Sequence, residues 1–116
     1  MPVLVKYVQS GVGPADYEAL KPIVNWEGDP PEGGLFHMIW FAKGAVHEID
    51  VWEDRASFDR FVADRFRPAL AKYGLKARAP EILDLYNISA SDEIVRHIQR
   101  APRKAASKAS SAGLSA

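Results

Sequence analysis

The fold is decided by the twenty residues 35–54, which read LFHMIWFAKGAVHEIDVWED. Two apolar runs, rich in β-branched and aromatic residues, flank the dipeptide Lys43–Gly44. Such runs around a short glycine-containing break are typical of a β-hairpin. If Lys43 and Gly44 are the two turn residues, Ala42 pairs with Ala45, and every pair further along the hairpin follows from that one.

In this register the hairpin has two faces, because successive side chains of a strand point to opposite sides. One face pairs Trp40 with His47, Met38 with Ile49, and Phe36 with Val51. The other face pairs Phe41 with Val46, Ile39 with Glu48, His37 with Asp50, and Leu35 with Trp52. The first face predicts ordinary core, whereas the second carries an imidazole opposite a carboxylate. A shift of one residue would move one strand's side chains to the opposite face.

Composition narrows the class of protein. The chain has 116 residues, of which 47% are hydrophobic and 26% charged, and this predicts a single globular domain. Its formal net charge is zero, so no overall attraction to nucleic acid or membrane is expected. It has no cysteine, which excludes disulfides, thiolate catalysis and cysteine-based zinc sites. No apolar run approaches the ~20 residues of a membrane span, and no signal-peptide pattern is seen, so we expect a cytoplasmic protein.

Further strands and helices are predicted on both sides of the hairpin. Pro14 suits the first turn of a helix, and Asp54 can cap the start of a second one. Pro68 falls inside that second helix and should kink or break it near Asp64, because proline offers no backbone N–H. The predicted elements are a strand over Val3–Gln9, helices over Ala15–Val24 and Arg55–Tyr73, and a last strand over Glu81–Ile88.

The order of elements, βαββαβ, predicts an α+β, ferredoxin-like fold with a four-stranded antiparallel sheet and both helices on one sheet face. The face expected under the helices carries Val3, Val5, Tyr7, Phe36, Met38, Trp40, Ile49, Val51, Leu83 and Leu85. The opposite face carries Leu4, Val8, Ile39, Phe41, Val46, Trp52, Ile82, Tyr86 and Ile88. This second face is too apolar to stay exposed to water, so we expect a homodimer in which two sheets enclose a shared barrel cavity.

The chain divides into a domain over residues 1–90 and a C-terminal region over residues 91–116. Residues 92–100 can form one short amphipathic helix, and the sequence beyond Ala101 is rich in Ala, Ser and Lys. Such a composition predicts a mobile tail. From Ile94 onward there are five basic residues and no acidic ones. A solvated tail is the favoured interpretation, and a weak contact with nucleic acid or anionic lipid is the alternative.

The junction Asp50–Asp54, followed by Arg55–Phe58, resembles the strand-to-helix junction of antibiotic biosynthesis monooxygenase-like proteins, which belong to the dimeric α+β barrel superfamily. The resemblance extends over about residues 3 to 88, and the loop Trp26–Pro31 is similar to that of small bacterial members. It implies the dimeric barrel fold and a small-molecule site. The activities it implies include cofactor-free oxygenation, isomerisation and haem degradation. Phe61 and Val62 stand in the region where many monooxygenase members carry a histidine.

The candidate site lies on the face that we assign to the barrel cavity. His37 is the candidate general base, oriented by Asp50, because a neighbouring carboxylate fixes the tautomer of an imidazole and raises its basicity. Lys6 is expected between Asp50 and Asp84, and these three charges could instead simply neutralise one another across the dimer. The predicted substrate contacts are Lys6, Ile39, Glu48, Trp52, Asp84 and Tyr86.

The predicted function is the binding of a small aromatic or polyketide-like molecule in the barrel cavity. The resemblance implies that the protein is a cofactor-independent oxygenase or isomerase of that molecule. No phosphate-binding loop, dinucleotide-binding glycine pattern or nucleophile elbow occurs, and no cofactor is expected. A metal held by His37 with Asp50 or Glu48, or haem held by His37, is a less favoured interpretation. A non-catalytic ligand-binding or stress-associated dimer is the alternative. Trp26 caps the core edge or serves as a lid over the pocket.

Overall fold

The computed structural model describes residues 1–99. The strands are β1 (Val3–Ser10), β2 (Gly34–Ala42), β3 (Ala45–Trp52) and β4 (Glu81–Asp84). The helices are α1 (Pro14–Val24), α2 (Arg55–Phe61), a π-helical segment (Val62–Phe66), α3 (Arg67–Tyr73) and a 3-10 helix (Asp92–His97). The strands form one antiparallel sheet in the order β2-β3-β1-β4. The predicted α+β, ferredoxin-like arrangement is therefore confirmed.

The hairpin register is confirmed at the turn. Lys43 and Gly44 have φ angles of 53° and 70°, and positive φ at both turn residues is what a type I′ hairpin requires. His37 lies opposite Asp50, as predicted. The pairing of Leu35 with Trp52 is wrong, because the register shifts between Gly34 and Phe36, and Gly34 takes the position opposite Trp52. Such a shift is typical of a β-bulge, which leaves one residue unpaired.

The register between β1 and β3 differs by one residue from the prediction. As a result, the hairpin face that was expected under the helices is the uncovered one, and the other face is covered. Val5 lies opposite Asp50, and Lys6 lies opposite Ile49. The sequence pattern predicts Val5 on the same face as Ile49. The tight turn fixes the pairing of β2 with β3, but β1 reaches β3 only through α1 and β2, so no turn fixes that register. A one-residue difference there exchanges the two faces.

The helices therefore cover the face that carries His37 and Asp50. Val3, Val5 and Tyr7 lie under the helices as predicted, and they form a buried core with Trp52 and residues of α2. Five residues predicted on the other face also lie on this side: Ile39, Phe41, Val46, Trp52 and Ile82. Six residues predicted under the helices lie on the uncovered face instead: Phe36, Met38, Trp40, Ile49, Val51 and Leu83. Leu4 and Val8 belong to this uncovered face, as predicted.

The second predicted helix is interrupted as its proline requires. The Asp54 carboxylate caps its start by accepting a hydrogen bond from the Ser57 backbone N–H at 2.8 Å. Pro68 cannot donate to a carbonyl of the preceding turn, and the chain forms the π-helical segment immediately before it. The predicted break near Asp64 is confirmed. Gly74, with φ of 84°, ends α3.

The last strand is shorter than predicted. It ends at Asp84, which lies opposite Val3 at the start of β1, and only the Leu85 N–H continues the pairing, to the carbonyl of Pro2. Tyr86 is consequently fully exposed, and its predicted place in the cavity is wrong.

The C-terminal region is described only as far as residue 99. The helix predicted over residues 92–100 is seen as the 3-10 helix Asp92–His97. The predicted mobile tail beyond Ala101 lies outside the described residues, so the domain division stays a prediction. Within residues 1–99, none of the helices has the length and apolar character needed to cross a bilayer.

Candidate functional site

A cavity of about 80 Å³ lies between the helices and the covered face of the sheet. Its wall is mostly apolar and aromatic, with a polar group at one side. The lining includes Tyr7, Tyr17, Trp26, Glu27, His37, Glu48, Phe61 and Phe66. The cavity is therefore formed within one chain. The predicted location, between the sheets of two subunits, is corrected, because His37 points toward the helices.

His37 is at the centre of the polar group. Its Nε2 lies 3.1 Å from Oε2 of Glu27, and because a carboxylate can only accept, this nitrogen carries the hydrogen and donates it. Its Nδ1 lies 3.8 Å from Oδ1 of Asp50 and 4.0 Å from Oε2 of Glu48. The ring stacks on Trp26 with centroids 4.6 Å apart. Nε2 of the imidazole is thus hydrogen-bonded to Glu27, and Nδ1 faces the carboxyl groups of Asp50 and Glu48.

Asp50 is the most buried polar side chain of this group, with 1% of its surface exposed. Among residues 1–99 neither of its oxygens has a hydrogen-bond partner, and neither has Nδ1 of His37. Burial raises the pKa of Asp50 well above its ordinary value, and the charge of nearby Glu48 raises it further, whereas the Trp52 indole lowers it. Burial and the charge of Glu48 thus both act against ionisation of this carboxyl group.

The pKa of His37 results from two opposed effects. Burial disfavours the imidazolium and lowers this pKa, but the carboxylates of Glu48 and Glu27 favour it more strongly. The net result is a pKa above the ordinary value of 6.5. A histidine whose pKa is raised in this way is a good proton acceptor near neutral pH.

The loop between α1 and β2 brings Glu27 and Trp26 over the histidine. Helix α1 ends at Asn25, which adopts a left-handed conformation with φ of 55°. Arg65, from the π-helical segment, then fixes the loop by donating to three backbone carbonyls: those of Val24 at 3.2 Å, Asn25 at 3.1 Å and Asp29 at 2.6 Å. The break caused by Pro68 thus lies beside the arginine that positions the loop.

The structure brings together only part of the predicted site. His37, Asp50 and Glu48 form one cluster, and Ile39 lies half-buried on the same face. Trp52 is fully buried against Phe58 and Phe61 of α2, so it belongs to the core.

Three other predicted contacts do not join this cluster. Lys6 lies exposed on the uncovered face, opposite Ile49 and Glu81. Asp84 is exposed at the end of β4, and Tyr86 lies beyond that strand. The predicted placement of Lys6 between two aspartates is therefore wrong, since that placement depended on the β1 register.

Two site residues were not predicted from the sequence as members of the cluster. Glu27 was not predicted as a site residue, although it directly follows Trp26 in the loop before β2. The sequence predicts Tyr7 in the core, and its position opposite Glu48 follows only from the β1–β3 register. Trp26 was expected either to cap the edge of the core or to form a lid over the pocket, and its contacts have features of both. It packs edge-on against Trp52 and Phe61, and it also stacks on His37 as part of the cavity wall.

Comparison with known proteins identifies the fold. No family model matches the sequence, and no curated protein matches it. SnoaB, a cofactor-independent oxygenase from Streptomyces nogalater, superposes with a TM-score of 0.57 at 17% identity, over 75% of this chain and 94% of SnoaB. A candidate antibiotic biosynthesis monooxygenase from Chloroflexus aurantiacus gives 0.54 at 14% identity, over 77% and 98% of the two chains. Rv0793 from Mycobacterium tuberculosis gives 0.50 at 16% identity, over 79% and 100%. The chain therefore shares its α+β, ferredoxin-like fold with these three proteins.

Proposed function

We propose that this protein is a cofactor-independent enzyme that removes a proton from a small, largely apolar molecule held in the cavity between helices and sheet. The observation that carries the proposal is the position of one histidine–carboxylate cluster in the wall of an otherwise aromatic cavity. Such a combination of an apolar pocket, few convergent polar groups and perturbed pKa values is typical of a catalytic site.

His37 is the proposed base, and its neighbours define how it acts. Because Nε2 donates to Glu27, the free lone pair of the neutral ring is on Nδ1. When Nδ1 takes a proton, the imidazolium is stabilised by Glu27 and Glu48, which already raise the pKa of His37. Proton abstraction is the first step both of isomerisation and of oxygenation by direct reaction of a substrate anion with O₂. The naming of SnoaB as a cofactor-independent oxygenase makes oxygenation the first reaction to test.

The size of the cavity limits the substrate. Its volume of about 80 Å³ is smaller than the roughly 150 Å³ of a cavity that binds benzene. An aromatic substrate therefore requires the pocket to widen. We assign that movement to the loop of residues 25–33, because this loop contributes Trp26 and Glu27 to the wall and has no regular secondary structure.

The test compares two histidine variants. Hydroxylated aromatic compounds with acidic O–H or C–H groups are incubated with the protein, and O₂ uptake and product mass are measured. His37→Gln is expected to lower turnover by about 100-fold or more, the usual contribution of a general base. His47→Gln, on the uncovered face, is the matched control and should keep full turnover. Equal rates for the two variants would contradict the proposal.

A non-catalytic ligand-binding protein is the second candidate, and one observation favours it. Nδ1 of His37 is buried, so a substrate proton reaches it only after the cluster rearranges. This hypothesis predicts that the same compounds bind in the cavity and are not converted by the wild-type protein. His37→Gln should then lower the binding affinity, and neither protein should show turnover.

We also propose that the protein is a homodimer formed through the uncovered sheet face. This face replaces the one first predicted, since Ile39 and Trp52 lie under the helices. The proposal is supported by large apolar side chains that are exposed on both edge strands of this face: Met38 is 44% exposed and Trp40 38% on β2, and Leu83 is 48% exposed on β4. Monomeric proteins rarely leave large apolar patches in water.

A further inference from the structure

The cluster around His37 has spacings that suit an ion between its members. Nδ1 of His37 lies 3.8 Å from Oδ1 of Asp50 and 4.0 Å from Oε2 of Glu48, and one ligand atom from each of the three residues lies within 4.8 Å of the others. These distances are too long for direct hydrogen bonds. Ligand atoms bound at about 2.1 Å to a shared tetrahedral ion lie about 3.4 Å apart, so small side-chain movements would bring all three to bonding distance.

The same atoms lack partners. Asp50 is buried to within 1% of its surface, and in the described part of the chain its two oxygens and Nδ1 of His37 accept or donate no hydrogen bond. Buried polar groups in proteins are almost always paired, so three unpaired atoms that face one another indicate a missing partner. A bound cation would satisfy the histidine lone pair and the carboxylate oxygens together.

The remaining nitrogen of His37 is arranged as in a metal-binding histidine. Metal ligands of this type usually donate the other ring N–H to a carboxylate or carbonyl, which fixes the tautomer and the ring orientation. Here Nε2 donates to Glu27 at 3.1 Å, which directs the free lone pair of Nδ1 toward Asp50 and Glu48. Stacking on Trp26 holds the ring in the same orientation.

The charges of the cluster also favour a cation. Three carboxyl groups surround one imidazole, and within residues 1–99 no lysine or arginine forms an ion pair with Glu27, Glu48 or Asp50. One imidazole and two carboxylates, without sulfur, suit divalent ions such as Zn²⁺, Fe²⁺ and Mn²⁺ and disfavour Cu⁺. We propose that His37, Glu48 and Asp50 bind one divalent transition-metal ion, with Glu27 as the positioning residue for the imidazole.

This site does not depend on the proposed enzymatic function. An ion at Nδ1 uses the lone pair that the general base needs, so proton abstraction belongs to the metal-free protein and metal binding should inhibit it. Metal binding and turnover are therefore measured separately: turnover on protein treated with chelator, and binding by titration with metal alone.

The experiment titrates chelator-treated protein with ZnCl₂ and with MnCl₂ in a calorimeter. We expect one ion per chain, a dissociation constant in the micromolar range or below for Zn²⁺, and a rise in Tm when Zn²⁺ is added. Glu48→Gln and Asp50→Asn should each weaken Zn²⁺ binding more than 10-fold. Glu27→Gln should weaken it by about 10- to 100-fold, as expected for a partner outside the coordination sphere.

Two controls make the result decisive. His47→Gln removes a histidine from the uncovered face and should leave the affinity unchanged. Circular dichroism of each variant shows whether it is folded, and Glu48→Gln replaces Asp50→Asn as the deciding variant if the latter does not fold. Absence of Zn²⁺ and Mn²⁺ binding at millimolar concentration would overturn the proposal. So would binding that Glu48→Gln leaves intact.

Discussion

At the scale of single residues, Trp26 connects the core to the site. It stacks on His37, contacts Trp52 and Phe61 edge-on, and approaches the backbone of Gly34 closely. A Cβ atom built at Gly34 would lie 2.9 Å from the indole ring, so only glycine fits there without a shift of Trp26. One side chain therefore contributes both to the packing under α2 and to the position of the His37 imidazole.

We expect Trp26→Ala to lower the free energy of unfolding by about 2–3 kcal/mol. This is somewhat less than for a fully buried tryptophan, because Trp26 is only half-buried. Trp26→Phe keeps most of the aromatic contact and should lose less than half as much. Denaturant unfolding measures both variants. A loss under about 0.5 kcal/mol for Trp26→Ala would indicate a detachable lid that contributes little to the core.

At the scale of elements, the break in the second helix organises the site. Pro68 removes a helical hydrogen bond, and the π-helical segment before it presents Arg65 to the loop that follows α1. The arginine satisfies carbonyls at the C-terminal end of α1, which a helix otherwise leaves without partners. The position of Glu27 relative to His37 thus depends on the interruption of a helix that lies more than thirty residues further along the chain.

Arg65→Gln should loosen the loop of residues 25–33 without unfolding the sheet. We expect hydrogen exchange of its amides to accelerate about 10-fold or more, because three charge-assisted hydrogen bonds to backbone carbonyls are lost. Arg55→Gln is the control, since Arg55 forms an exposed ion pair with Asp59, far from this loop in sequence. Amides of β1 and β3 should exchange at unchanged rates in both variants. Unaltered exchange in the loop would show that Arg65 does not hold it.

At the scale of the whole molecule, the sheet has one face packed under helices and one face that needs a partner. The exposed apolar residues of that second face come from three strands: β2, β4 and β1. A second copy of the chain is the proposed partner, and the two helical layers would then lie on the outside of the assembly.

Sedimentation at micromolar concentration should give a dimer for the wild-type protein. Met38→Glu places a charge among the exposed apolar residues of the proposed interface and should produce a folded monomer or weaken the dimer at least 100-fold. Val95→Glu is matched in exposure, at 43% against 44% for Met38, but lies on the 3-10 helix and should remain dimeric. A wild-type monomer, or a Met38→Glu dimer of undiminished affinity, would contradict the proposed interface.

The sequence was sufficient to predict the features that depend on residues close together in the chain. The Lys43–Gly44 turn fixed the pairing of His37 with Asp50, Pro68 fixed the helix break, and the order of elements fixed the ferredoxin-like fold. The side of the sheet on which the site lies was not predictable in this way. It depends on the β1–β3 register, which is set by packing between distant segments and by no turn.

The position of Glu27 next to His37 also could not be predicted from neighbouring residues in the sequence. Glu27 belongs to a loop without hydrophobic periodicity, and the Arg65 contacts that position this loop come from a distant helical segment.

The central claim is that ligands bind between the helices and the sheet, beside His37, and the three tryptophans test it directly. Trp26 lines the cavity, Trp52 lies behind it, and Trp40 is on the uncovered face. Each indole N–H gives its own NMR signal, assigned with Trp→Phe variants. Titration with hydroxylated aromatic fragments should shift the Trp26 signal strongly and leave the Trp40 signal in place. Shifts at Trp40 with an unchanged Trp26 signal, or no shift with any fragment at millimolar concentration, would contradict the account.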